Sequence, residues 1–169
     1  MVHRFLALLA EATARIHPHY FQLPTAGAEE AIYRERVYCY ELYHQLRVLL
    51  DREKHLARYA LSGEIDKRGH HIIRPCIPDF VLHVPGQMDN LVVIEVKPVS
   101  GEPKGIQKDV SSLAHFVSPL VRYQLGVELV YGDDEKLFSN FEREFRQLRD
   151  QRLQLFWHRR CGERALRVC

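Results

Sequence analysis

The chain has 169 residues, 46% hydrophobic and 27% charged, and its 24 Lys and Arg nearly cancel 22 Asp and Glu to leave a formal net charge of +2. A chain of this length fits one domain that buries roughly 70% of its unfolded surface without a disulfide or metal staple, and eight Phe, eight Tyr and one Trp supply core material that excludes a disordered chain. The near-neutral total excludes a protein that holds nucleic acid by charge alone.

Cys39, Cys76, Cys161 and Cys169 lack zinc-like spacing, so reduced thiols in a cytoplasmic protein are expected. The apolar run from Phe5 to Ala10 meets Glu11 too soon for a signal segment, and no stretch reaches the ~18 apolar residues of a membrane span. The pattern predicts an amphipathic helix from Val2 to Ile16, a loop around Pro18 and Pro24 to Gly27, and a long helix from Ala28 to His55. The apolar stripe of the long helix is Ile32, Cys39, Leu42, Leu46 and Leu49. Glu35 falls on that stripe and Glu41 on a neighbouring strip with Gln45; taken alone, either is an ordinary helix-surface carboxylate.

Strands are expected at Tyr59 to Ile65, Ile77 to Val84 and Leu91 to Lys97. An Asp66 to Gly69 turn separates the first two, a Pro85 to Asn90 hairpin the last two, and Pro98 ends the third. A helix after Gly105 with Ile106, Val110, Leu113, Ala114 and Val117 on one face leads to a strand at Val127 to Tyr131. A helix capped by Asp133 or Asp134 and a last strand at Leu153 to Trp157 follow. This order predicts an α/β (α+β) domain spanning residues 1–169, with a central mixed sheet of about four or five strands flanked by helices. The core is expected over about 28–131, with the N-terminal helix 2–16 and the basic part 143–169 as extensions.

The chemistry is concentrated at Pro78-Asp79 and Glu95-Val96-Lys97. Strand alternation puts Glu95 and Lys97 on one face. A hairpin with Val84 opposite Asn90 brings Asp79 opposite Glu95, so two carboxylates and a lysine converge. Carboxylate oxygens of this kind suit Mg²⁺ or Mn²⁺, which takes the rest of its shell from water and phosphate. A lysine beside them can stabilise phosphate charge or orient the attacking water, and phosphodiester hydrolysis is the reaction these parts suit.

With the surrounding element order, Pro78-Asp79 and Glu95-x-Lys97 resemble the PD-(D/E)xK nuclease superfamily, over roughly Ala28 to Tyr131. The resemblance implies a restriction-endonuclease-like fold and a Mg²⁺-dependent nuclease of nucleic acid; DNA is preferred over RNA as its substrate. It implies that Asp79 and Glu95 ligate the metal while Lys97 acts on water or phosphate. It also implies a further carboxylate from the preceding helix. Glu41 is preferred there, because Glu35 on an apolar stripe would be costly; Glu35 or Glu64 are the alternatives. The competing expectation is a catalytically inactive nuclease-fold subunit that binds nucleic acid or protein in a larger complex, and a homodimer or partner subunit could supply target recognition.

Lys104, Gln107 and Lys108, at the start of the helix after the motif, are candidate backbone contacts. From Arg143 onward eight arginines face three acids, a net +5 that leaves −3 for the rest of the chain. Arg143, Arg146 and Arg149 repeat along one helix side and could track phosphates. His17, His19, His70 and His71 read as loop histidines, and His83 alternates onto the Asp79 face.

Overall fold

The computed structural model describes residues 1–27, 29–64 and 77–169. The expected Asp66 to Gly69 turn, His70, His71 and Cys76 lie outside them, as do Ala28 and Ile65. Among the described residues six strands form one mixed sheet in the order β1-β2-β3-β4-β5-β6. These are β1 (Ala60–Gly63), β2 (Phe80–His83), β3 (Asn90–Pro98), β4 (Leu125–Tyr131), β5 (Leu153–His158) and β6 (Leu166–Arg167). β1, β2 and β3 pair antiparallel in succession, β3, β4 and β5 run parallel, and β6 returns antiparallel. The sheet therefore exceeds the expected four or five strands by β6, whose two residues are too few to carry a period.

Helices cover both faces: α1 (Val2–Ala14), α2 (Pro18–Phe21), α3 (Glu35–Leu50), α4 (Pro103–Phe116) and α5 (Glu135–Arg146). One core layer packs α1 and α3 against Val92, Ile94 and Val96 of β3 and Leu125, Val127 and Leu129 of β4. The other packs Ile106, Leu113 and Phe116 of α4 and Phe138, Phe141 and Phe145 of α5 against Val93, Val130 and Leu155. Burial on both faces explains why β3 reads as a continuous apolar run rather than an alternating one. α1 is no appendage: Phe5, Leu9 and Ala12 are buried in the first layer, and Thr13 Oγ1 accepts a 2.8 Å bond from the Ala165 amide.

Several expected boundaries differ. The long helix begins at Glu35, not Ala28, because Leu23 and Ile32 pair in an isolated bridge ahead of it. It stops at Leu50; Glu53 then accepts the His55 amide at 3.2 Å and caps a 3₁₀ turn, Lys54–Leu56. Near Pro18, α2 replaces loop, with the proline in its first turn, where a missing amide costs nothing. In the hairpin a bulge between Leu82 and His83 puts His83, not Val84, opposite Asn90. The pairing Phe80↔Ile94 further along keeps the expected register where Asp79 enters. His83 therefore lies at the far end of β2 from Asp79.

The parallel crossovers decide what shares an end of the sheet. α4 leaves β3 just past Lys97, and α5 leaves β4 with Asp134 Oδ1 accepting the Leu137 amide at 2.9 Å. At the β4–α5 junction Gly132 holds φ +119°, and a Cβ there would meet Val99 Cγ1 at 2.7 Å and Tyr33 Cζ at 3.0 Å. Gly132→Ala is expected to cost about 2 kcal/mol or more. Urea unfolding would read this as a lower midpoint with unchanged slope, and an unaltered midpoint would contradict the packing at this turn.

Candidate active site

Asp79 sits just before β2, and its backbone amide donates to Glu95 Oε2 at 3.4 Å. Its own Oδ2 accepts the Val96 amide at 2.7 Å, so the two strands lock the carboxylates side by side. Glu95 is 7% exposed, and its Oε1 accepts Ser112 Oγ of α4 at 2.8 Å. Lys97, two residues on and on the same face, places Nζ 3.1 Å from Glu35 Oε2 and 3.1 Å from Asp109 Oδ2. The structure thus brings Asp79, Glu95 and Lys97 together and adds Glu35, Asp109 and Ser112. Glu35 stands in the first turn of α3, where the helix dipole favours a carboxylate.

The other candidates separate. Glu41 accepts Gln45 Nε2 at 2.8 Å within α3; six residues from Glu35 means about 9 Å along the axis and a different helix face. Glu64, at φ 45°, forms a 3.0 Å ion pair with Arg36 on the rim of the cleft. Lys104, Gln107 and Lys108 are exposed in the first turns of α4, at the Lys97 end of the sheet. Arg143, Arg146 and Arg149 are exposed where α5 runs down toward the start of β5, at the opposite end. Arg143 and Arg146 bond Asn140 and Glu142 on their own helix. At the Lys97 end, Arg159 and Arg160 are engaged by Asp133 at 2.5 and 2.7 Å.

Two further acids stand at positions that the apolar pattern marks as buried. Asp109 lies on the buried stripe of α4 between Ile106 and Leu113, where an acid is conspicuous. Glu128 interrupts the apolar run of β4, pairs in register with Glu95 and is fully buried. Both its carboxylate oxygens lack a hydrogen-bond partner among the described residues.

Burial dominates the electrostatics. It pushes Asp79 up to about 7 against the Val96 hydrogen bond, with the Glu35 charge adding to the rise. It pushes Glu95 up to about 8, helped by Asp79 and opposed by Ser112. Asp109 and Glu128 are raised by the same cause. For Lys97 burial works against the charge, but Asp109 and Glu35 outweigh it and hold the ammonium above its ordinary range. Lys97 is thereby favoured as the charged ammonium.

Gly101 lies against this lysine: a Cβ there would come within 2.6 Å of Lys97 Cγ and 3.1 Å of Cδ. Beside the carboxylates, a cleft of about 280 Å³ is lined by Glu35, Arg36, Cys39, Glu64, Ile77 and Asp79. Among the described residues no group of three or more His, Cys, Asp and Glu is arranged to hold a metal ion. The pair Asp79 and Glu95 is a two-carboxylate donor set, and a divalent cation would relieve the repulsion and desolvation that raise both groups. That fits Mg²⁺, which keeps water and substrate oxygens in the rest of its shell.

No family model, curated protein or solved structure matches the chain. No helix among the described residues is long and apolar enough to cross a membrane.

A carboxyl whose folded pKa exceeds its unfolded value keeps a proton in the native state that the unfolded chain has lost. Stability then falls as pH rises from the unfolded values, 3.8 and 4.5, through about 7 and 8. Without divalent cations the melting temperature is expected to drop across that window. Asp79→Asn and Glu95→Gln should each flatten the drop and melt several degrees higher than the parent at the alkaline end. A pH-independent melting temperature in the parent protein would contradict the burial assigned to these carboxyls.

Proposed function

We propose that the chain is a metal-dependent nuclease of the restriction-endonuclease-like kind, hydrolysing phosphodiester bonds of DNA. The observation that carries this reading is the join of Asp79 to Glu95 through the Asp79 amide, with Lys97 on the same face held as a cation. Asp79 and Glu95 would hold Mg²⁺ or Mn²⁺; when bound, such an ion lowers the pKa of a water and polarises a phosphoryl oxygen. Held as a cation by Asp109 and Glu35, Lys97 would attract the scissile phosphate and stabilise the charge that grows on it. Asp109 and Glu35 aim the ammonium, and Ser112 orients Glu95 by donating to one oxygen.

Among the candidate backbone contacts, Lys104, Gln107 and Lys108 share the site's end of the sheet and suit phosphates flanking the reacting one. Arg143, Arg146 and Arg149 lie beyond the far end, so they suit a part of the substrate well removed from cleavage, or another ligand.

Purified protein with Mg²⁺ or Mn²⁺ is expected to cut DNA, and Asp79→Ala or Lys97→Ala to reduce the rate by about 10²-fold or more. Calorimetry should show Mn²⁺ binding that Asp79→Ala abolishes. Cleavage persisting unchanged in both variants would overturn the assignment, and an absence of Asp79-dependent Mn²⁺ binding would favour a catalytically inactive module.

A further inference from the structure

The outer face of α3 carries Arg36, Tyr40, Tyr43 and Arg47 at steps of four, three and four residues, one helical stripe about 16 Å long. Tyr40 is 62% exposed, an unusual state for a large aromatic side chain. Tyr43 is half-buried and fixed: its hydroxyl donates to the Leu61 carbonyl at 3.3 Å, and its ring stacks on Phe80 at 6.2 Å between centroids. Between α3 and the end of the edge strand β1 a second cleft, of about 330 Å³, is lined by Cys39, Tyr40, Tyr43, Gly63 and Phe80 and reaches Asp79. It shares Cys39, Glu64 and Asp79 with the cleft beside the carboxylates, so the two are continuous.

The charges on this stripe are available. Arg36 pairs with Glu64 and Arg47 with Asp51, but all four side chains are 42% exposed or more. Such solvated pairs contribute little and can be exchanged for a phosphate. Further along, Arg58 stands 5.3 Å from the centre of the Tyr59 ring. Phenol groups flanked by guanidinium groups form the combination that holds a single strand: arginines follow the backbone, and aromatic faces stack on bases of any sequence. A paired duplex hides its base faces, whereas this cleft is walled by the Tyr40, Tyr43 and Phe80 rings and ends at Asp79 rather than at a basic floor.

From this geometry we infer that the nuclease acts on an unpaired DNA strand, which runs along Arg36, Tyr40, Tyr43 and Arg47 and seats one base in the Tyr40–Tyr43–Phe80 cleft next to Asp79. This rests on the nuclease reading of the adjoining carboxylates, because it names the substrate class of that site.

Fluorescence anisotropy with a short labelled single-stranded DNA and the same sequence as a duplex, both without divalent cations, tests binding apart from cleavage. The single strand is expected to bind more tightly than the duplex. Tyr40→Ala, a change at an exposed position whose fold circular dichroism can check, should weaken single-strand binding about tenfold while Tyr40→Phe retains it. Arg36→Ala and Arg47→Ala should each lower the salt dependence by roughly one phosphate contact. Equal binding of both DNAs, or Tyr40→Ala binding like the parent, overturns the inference. So does a Tyr40→Ala change in oligomeric state with DNA binding intact, which would mark the stripe as a contact between copies. Cleavage lost in Asp79→Ala but insensitive to Tyr40 leaves the nuclease and removes the strand track. Tyr40-dependent binding without cleavage by the parent protein leaves the track and removes the nuclease.

Discussion

The contact between Lys97 and the Glu35 and Asp109 carboxylates, 3.1 Å on either side, ties α3, β3 and α4 together at one end of the sheet. Around it stand Asp79, Glu95 and Glu128, so a single ammonium faces five acids, several of them buried. In a low-dielectric setting that imbalance cannot persist with every acid ionised; protons or added cations must make up the difference. The rest of the architecture serves this arrangement. Apolar layers on both faces dry the middle of β3, and the hairpin register delivers Asp79 beside Glu95.

What was legible in the sequence followed the strand period. Glu95 and Lys97 share a face because they are two apart, and the hairpin brought Asp79 to Glu95 even though a bulge at His83 displaced the turn end of the register. What was hidden depended on helix ends and crossovers. With the helix start placed at Ala28, Glu35 reads as a mid-helix acid on an apolar stripe; with the start at Glu35, it is a first-turn residue at the sheet end that reaches Lys97. Asp109 and Glu128 are hidden in the sequence because both sit among apolar neighbours, whose periodicity masks the one polar member. A linear sum of charge cannot register that α5 carries Arg143 and Arg146 away from the end where it begins, or that the helix ends at Arg146 and leaves Arg149 outside it.

The placement of Glu35 is secured one turn further along α3. Tyr38 is fully buried, stacks on Tyr131 of β4 at 3.9 Å between centroids and bonds His158 Nδ1 of β5 at 2.8 Å. Burial holds His158 down to about 4, so this ring stays neutral through the pH range in which Asp79 and Glu95 titrate. The first turns of α3 are thereby pinned to two central strands whatever the protonation of the carboxylates. The opposite side of the same helix leaves the Tyr40 ring exposed.

Gly101 shows how a buried lysine stem shapes its surroundings without a reciprocal polar group. Its glycine follows from the stem of Lys97 filling the volume that any side chain would need. A substitution there would leave every charge in place and still turn the ammonium away from its two carboxylates. The site's outline thus includes an empty mould as well as the groups that fill it, and a census of acids, bases and nucleophiles would pass over the hollow half.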